Sequence, residues 1–129
     1  MIFGIGTDIV SVERMERNIE RFGRRFSERI LGEEEQADYD TSRRRAHFLA
    51  KRFAAKEAAV KAMGTGFRDG IALRDIWVGH DGFGKPMLNF AGVAEQFLRR
   101  HDIGAVHLSL ADEDRYAIAF VTLMRRSGQ

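Results

Sequence analysis

Residues 43–66 read Arg43-Arg-Arg-Ala-His47-Phe48-Leu49-Ala-Lys-Arg52-Phe53-Ala-Ala-Lys56-Glu57-Ala-Ala-Val-Lys61-Ala-Met63-Gly64-Thr65-Gly66. Alanine, the best helix former, fills the interior of this stretch, and no proline interrupts it. The pattern predicts one long helix from about Arg43 to Met63, with Phe48, Leu49 and Phe53 supplying core contacts. Gly64 is its natural C-terminal stop. Most of the middle is small and apolar, as expected of a helix that other elements partly cover.

Working outward toward the N-terminus, Glu33–Asp40 and Arg25–Leu31 read as short helices. Residues 13–22 read as a third, with Met15, Ile19 and Phe22 at i, i+4, i+7. Residues 2–12 form a strand interrupted by Gly4 and Gly6, which mark a bend or a close backbone approach. Toward the C-terminus, Ile76–Val78 and Met87–Phe90 pair around the turn-rich Asp81-Gly82-Phe83-Gly84. A helix with Val93, Ala94, Phe97 and Leu98 on one face follows. Strands Ala105–Leu110 and Tyr116–Met124 then close the chain as a hairpin across Asp112-Glu113-Asp114-Arg115. Strands at both ends with helices between predict an α+β fold, a small antiparallel sheet packed with one long and several short helices. The last strand is apolar on both faces: Tyr116, Ile118, Phe120 and Met124 on one, Ala117, Ala119, Val121 and Leu123 on the other. A strand with one wet face should alternate. With few helices available, a neighbouring subunit is the expected cover.

At 129 residues the chain is a single domain, 1–129, long enough to bury about two-thirds of its unfolded surface. Hydrophobic residues at 44% and charged residues at 31% describe a globule and not a disordered tail. The lack of cysteine excludes disulfides, thiolate catalysis and cysteine-based zinc or iron–sulfur sites. No apolar run approaches the roughly 20 residues of a membrane span. The first residues lack the basic and long apolar regions of a signal peptide. A cytoplasmic protein without a membrane contact is expected.

Asp8 stands in an otherwise apolar strand beside Gly4-Ile-Gly6-Thr7, where it is either a strand-end residue or a carboxylate facing a ligand. Glu57 and Lys61 share a helix face at i, i+4. That spacing suits an ordinary surface pair, worth a few tenths of a kcal/mol. On so apolar a helix it also suits charges held for chemistry. Asp8 with Glu57 would suit magnesium, which takes one or two carboxylates together with waters and phosphate oxygens. Lys61 could then place its ammonium on a phosphate. Gly64-Thr65-Gly66 is either a helix stop or a place where backbone passes close to a ligand; no P-loop pattern is present. Arg14, Arg17 and Arg21, extended by Arg24, Arg25 and Arg29, make a basic ridge tempered by Glu13, Glu16 and Glu20. With Met15 and Phe26 it could dock an acidic helix, charge steering the encounter. Arg43, Arg44 and Arg45 suit phosphate binding and simple solvation equally. His107 points to the strand face opposite Val106 and Leu108, beside Ser109, and the four histidines show no zinc spacing.

Taken in order, Gly4-Ile-Gly-Thr-Asp8-Ile-Val, Phe48 through Gly66, Gly84-Lys-Pro86 and His107-Leu-Ser109-Leu resemble the short bacterial type of 4′-phosphopantetheinyl transferase, the holo-acyl-carrier-protein synthases. The resemblance runs from Met1 to about Met124. It implies transfer of phosphopantetheine from coenzyme A to a serine of an apo acyl carrier protein, releasing adenosine 3′,5′-bisphosphate. It also implies a compact α+β subunit assembled as a homotrimer with active sites at subunit interfaces. The family's magnesium ligands fall on Asp8 and Glu57, and the lysine near the diphosphate falls on Lys61. Arg14 and the Arg25-Phe26 pair fall where the family docks the carrier helix. Implied coenzyme A contacts are Arg44, Arg52 and His107, the last on the 3′-phosphate, with Gly84-Lys85-Pro86 shaping the nucleotide end. Ala111-Asp112 stands where many members have Ser-His, which leaves those positions without an assigned role.

Two other readings use the same residues. A magnesium-dependent nucleotide hydrolase would need no carrier protein. A non-enzymatic basic binding module, for nucleic acid, would show steep salt dependence. The chain has neither an RNA-binding aromatic motif nor a basic stripe free of acids, so no nucleic-acid partner is expected.

Overall fold

The computed structural model describes residues 1–68 and 70–126. In chain order the elements are β1 (Ile2–Ser11), α1 (Val12–Phe22), α2 (Arg24–Ile30), α3 (Glu33–Thr41) and α4 (Arg45–Met63). A 3-10 turn (Leu73–Asp75), β2 (Ile76–His80), β3 (Pro86–Phe90), α5 (Gly92–Arg100), β4 (Ile103–Asp112) and β5 (Tyr116–Arg125) follow. The architecture is α+β. A three-stranded antiparallel sheet runs in the order β1-β5-β4, and β2 with β3 forms a separate two-stranded sheet.

Helix α4 lies across one face of the larger sheet. Along β5 the alternation of side chains decides what it covers: Ala117, Ala119, Val121 and Leu123 are completely buried. The helix comes close to the sheet through buried alanines, Ala58 and Ala62 among them. Gly4 and Gly6 on β1 complete this contact. A Cβ on Gly4 would run into the carbonyl oxygen of Ala62, and one on Gly6 into that of Ala58. The close backbone approach expected of these glycines is therefore made to α4. Gly64 ends the helix in the left-handed region, φ 82°, its N–H bonded to the carbonyls of Val60 and Lys61.

The other face of the sheet has no cover among the described residues. Ile5, Ile9, Tyr116, Ile118 and Phe120 stand on it, each 43–60% exposed. Two expectations for α1 need correction. Met15 is 1% exposed, because it shares the inward face of α1 with Val12; a residue buried against the core cannot stand on a docking surface. Phe22, grouped with Met15 and Ile19 as one apolar face, is half-exposed and stacks on Phe26 across the turn at Gly23.

Candidate active site

Asp8 follows Gly4 and Gly6 on the same face of β1, so its carboxylate is turned to α4. There the Lys61 ammonium donates to Asp8 Oδ1 at 2.8 Å and to the Thr7 carbonyl at 3.2 Å. Glu57 sits one turn earlier on α4, partly buried. Burial pushes its carboxyl above the ordinary range, and the negative charge of Asp8 adds to the rise, while Lys61 and Arg14 pull it back. Lys61 is raised in turn, chiefly by its hydrogen bond to Asp8. Strand and helix thus bring the two carboxylates and the ammonium within one another's field. Lys61 is engaged with Asp8 across the packing interface, so the simple i, i+4 surface pair with Glu57 does not describe it.

Two carboxylates on separate elements, with an open side to solvent, offer hard oxygen donors of the kind a small divalent cation accepts. Their mutual repulsion, expressed in the raised Glu57, is what a cation between them would relieve. No group of three or more His, Cys, Asp or Glu side chains suited to a metal occurs among the described residues. Water and substrate oxygens would have to fill the remaining positions.

Arg14 stands at the edge of this group, close enough for its charge to act on Glu57, its backbone N–H held by the Ser11 hydroxyl at 3.2 Å. Arg21 lies over the Phe22 ring at 5.1 Å, and Arg25 is exposed near Phe26 on α2. Arg44 caps the start of α4, with a guanidinium nitrogen 2.9 Å from His47 Nε2. It stands 13 residues before Glu57, roughly 20 Å along the helix. Gly64 ends the same helix beyond Lys61, and Pro86 opens β3 on the smaller sheet, opposite His80. His107 is opposite Thr122, itself opposite Ile5, so it belongs to the exposed sheet face and not to the Asp8 face. A single chain therefore does not bring His107 to Asp8.

Arg52 is a correction. It is 6% exposed, its guanidinium 4.3 Å from the centre of the Phe48 ring and its Nε 3.6 Å from Glu35. Burial lowers its pKa. Its charge is spent inside the chain, which leaves no surface contact for coenzyme A. Glu35 and Lys56, which the sequence reading passed over, accompany it in the interior; the alternation of Arg52 and Lys56 at i, i+4 on an alanine-rich helix was the available signal.

Residues 4–121 match the family model described as the 4′-phosphopantetheinyl transferase superfamily. The chain belongs to this superfamily. Among 4′-phosphopantetheinyl transferases it is 52% identical over 124 residues to a holo-[acyl-carrier-protein] synthase of Halorhodospira halophila, covering 96% of this chain and 98% of that one. The crystal structure of holo-[acyl-carrier-protein] synthase from Neisseria meningitidis superposes with a TM-score of 0.91 at 43% identity, over 97% of this chain and all of that chain. The Bacillus anthracis enzyme, solved in complex with coenzyme A (3′,5′-ADP), gives 0.81 at 37% identity, over 98% and 99% of the two chains. No helix among the described residues is long and apolar enough to cross a membrane.

Proposed function

We propose that Asp8, Glu57 and Lys61 form the centre at which this chain carries out the reaction of the holo-acyl-carrier-protein synthases. In that reaction phosphopantetheine moves from coenzyme A to a serine of an apo acyl carrier protein, and adenosine 3′,5′-bisphosphate leaves. The carrying observation is the convergence of three charged groups from β1 and α4, one bonded pair at 2.8 Å and a carboxyl whose proton affinity is raised beside them. A bond forms between the serine oxygen and the phosphorus nearest the pantetheine. The bond from that phosphorus to the bridging oxygen breaks, and charge grows on the departing phosphate. Positioning and charge stabilisation dominate such transfers. Lys61, half-exposed, can present its ammonium to the diphosphate oxygens. Glu57, directly or through a water, would accept the serine proton. Asp8 and Glu57 would hold magnesium, which when bound supplies neutralisation of diphosphate charge.

The working form is a homotrimer with its sites at subunit interfaces. The uncovered face of Ile5, Ile9, Tyr116, Ile118 and Phe120 supports this, since so large an apolar patch marks an interaction surface. His107 supports it as well, because it stands on that face and could meet coenzyme A bound against a neighbour's Asp8. Arg44, Gly64 and Pro86 would line the same coenzyme site, and Arg14, Arg21, Arg25 and Phe26 would receive the acidic carrier. A cytoplasmic location accompanies this reading.

Incubation with coenzyme A, magnesium and apo carrier tests it by intact mass: the carrier gains one phosphopantetheine. Coenzyme A cleaved without carrier would favour the hydrolase. Tight nucleic-acid binding without coenzyme affinity would favour the basic module. Light scattering tests the assembly: Ile118→Asp should give a folded monomer without transferase activity, and a wild-type monomer with full activity would contradict it.

A further inference from the structure

The most deeply buried charges in the described residues lie outside this centre. Lys56 is 0% exposed and Glu35 1%. Lys56 Nζ donates to Glu35 Oε1 at 2.7 Å and to the Leu73 carbonyl at 3.0 Å. Glu35 Oε1 also accepts from the Gly32 N–H at 3.1 Å, and Oε2 accepts from the Val78 N–H at 2.9 Å. Arg52 closes the group from one turn earlier on α4. Lys56 is therefore fastened, directly or through Glu35, to backbone at the start of α3, in the 3-10 turn and in β2.

A buried ion pair commonly gives no more stability than apolar side chains of similar volume. Three charges kept in the core therefore call for a role beyond stability. Their placement supplies one. On its sheet side α4 presents alanines to glycines, contacts that set how close the helix comes, and the hydrogen bonds there, from Lys61 to Asp8 and the Thr7 carbonyl, are made by a half-exposed side chain. On its other side the Lys56–Glu35 bonds are directional. Glu57 is the next residue, pointing about 100° away around the helix toward β1. Side-chain tips stand roughly 6 Å from a helix axis, so a rotation of about 10° shifts one by about 1 Å.

We propose that Lys56, locked on Glu35, is a positioning residue for the transfer reaction: it fixes the rotation of α4 so that Glu57 faces Asp8. The proposal rests on the reading of Glu57 as part of the reacting centre.

The test compares wild type, Lys56→Met, Glu35→Gln, Glu57→Gln and Ile103→Ala, the last serving as a core truncation on β4 outside the Lys56–Glu35 hydrogen-bond network. Thermal midpoints are measured first, and assays are run well below all of them at saturating magnesium. Lys56→Met should lower kcat about 100-fold, with the KM for coenzyme A within about threefold, as expected for a misplacement near 1 Å. Its Mn2+ affinity in the presence of coenzyme A, read by electron paramagnetic resonance, should fall about tenfold, as when a group supporting metal ligands is lost. Glu35→Gln should move both in the same direction by less. Ile103→Ala should keep kcat within about twofold at a comparable loss of thermal midpoint, because distant core truncations act on stability alone. Unchanged kcat and Mn2+ affinity in folded Lys56→Met would overturn the proposal, and so would an equal loss in Ile103→Ala. Should Lys56→Met not fold, wild-type kcat in Glu35→Gln overturns it instead. An inactive wild type, or an active Glu57→Gln, breaks the reading of the centre itself. A normal Lys56→Met beside an inactive Glu57→Gln breaks the positioning role alone.

Discussion

Along α4, Arg52 and Lys56 stand one turn apart, and so do Glu57 and Lys61, yet the two pairs have opposite environments. Arg52 and Lys56 are sealed against Glu35 beneath α3 and β2, with burial pulling both pKa values down. Glu57 and Lys61 face β1 with solvent alongside, and both are raised, Glu57 by burial and Asp8, Lys61 by its bond to Asp8. In the first set Lys56 is hydrogen-bonded from within the chain, whereas Arg52 Nε, 3.6 Å from Glu35, has no hydrogen-bond partner among the described residues. In the second, the cation is shared unequally between two carboxylates, and that imbalance leaves room for a ligand's charge. Identical spacing on one helix therefore yields an anchor on one side and a reactive group on the other.

The sharpest way to break this comparison is to neutralise the open side. Glu57→Gln should lower transfer by about 10²–10³-fold, the usual cost of one electrostatic contact in a transition state. Its thermal midpoint at neutral pH should be no lower than wild type, because no ion pair of the core is touched and burial and Asp8 disfavour the ionised Glu57. An accompanying collapse of the fold would mean that Glu57 belongs with the anchor. A smaller effect is expected at the sheet side. Gly6→Ala places a Cβ against the Ala58 carbonyl and should cost about 1–3 kcal/mol in urea unfolding, the range for overpacking. Activity should fall with it, since α4 would be pushed from Asp8 while still fastened at Lys56.

The mildest effect is on pH dependence. The folded Glu57 carboxyl holds its proton more tightly than it does in the unfolded chain. Its contribution to stability is therefore favourable at low pH and is lost as pH rises through the ordinary carboxylate range to the raised value. Asp8→Asn removes the like charge and should narrow that window. Carboxyl NMR titration of chelator-treated protein checks this, with the Glu57 midpoint moving down in the variant. An upward movement would mean that the bond from Asp8 to Lys61 had governed Glu57.

Much of the fold was legible because its signals are local. The alanine run and Gly64 delimit α4, and β5 has its two apolar sets at strict alternation. The site was legible in part. Glu57 and Lys61 could be paired by helical spacing, but nothing local links either to Asp8, about 50 positions away; the family resemblance supplied that link, and the packing of Gly6 on Ala58 explains it physically. The buried network was illegible for the same reason. Glu35 is one of three consecutive glutamates at a helix start, and its burial depends on a lysine 21 positions later. Met15 was placed on the docking ridge because a methionine among charged residues looks alike on either face of a helix, and Arg52 on the surface because its local mark of burial is only the i, i+4 spacing with Lys56 on an alanine-rich helix.

Mn2+ titration of the coenzyme-bound protein, followed by electron paramagnetic resonance in wild type, Asp8→Asn, Glu57→Gln and the double variant, tests the shared carboxylate centre most directly. Binding of one ion per chain in wild type should be lost in either single variant. The double variant should be no worse than the singles, as expected of two groups serving one ion. Undiminished Mn2+ binding in either single variant would contradict the account.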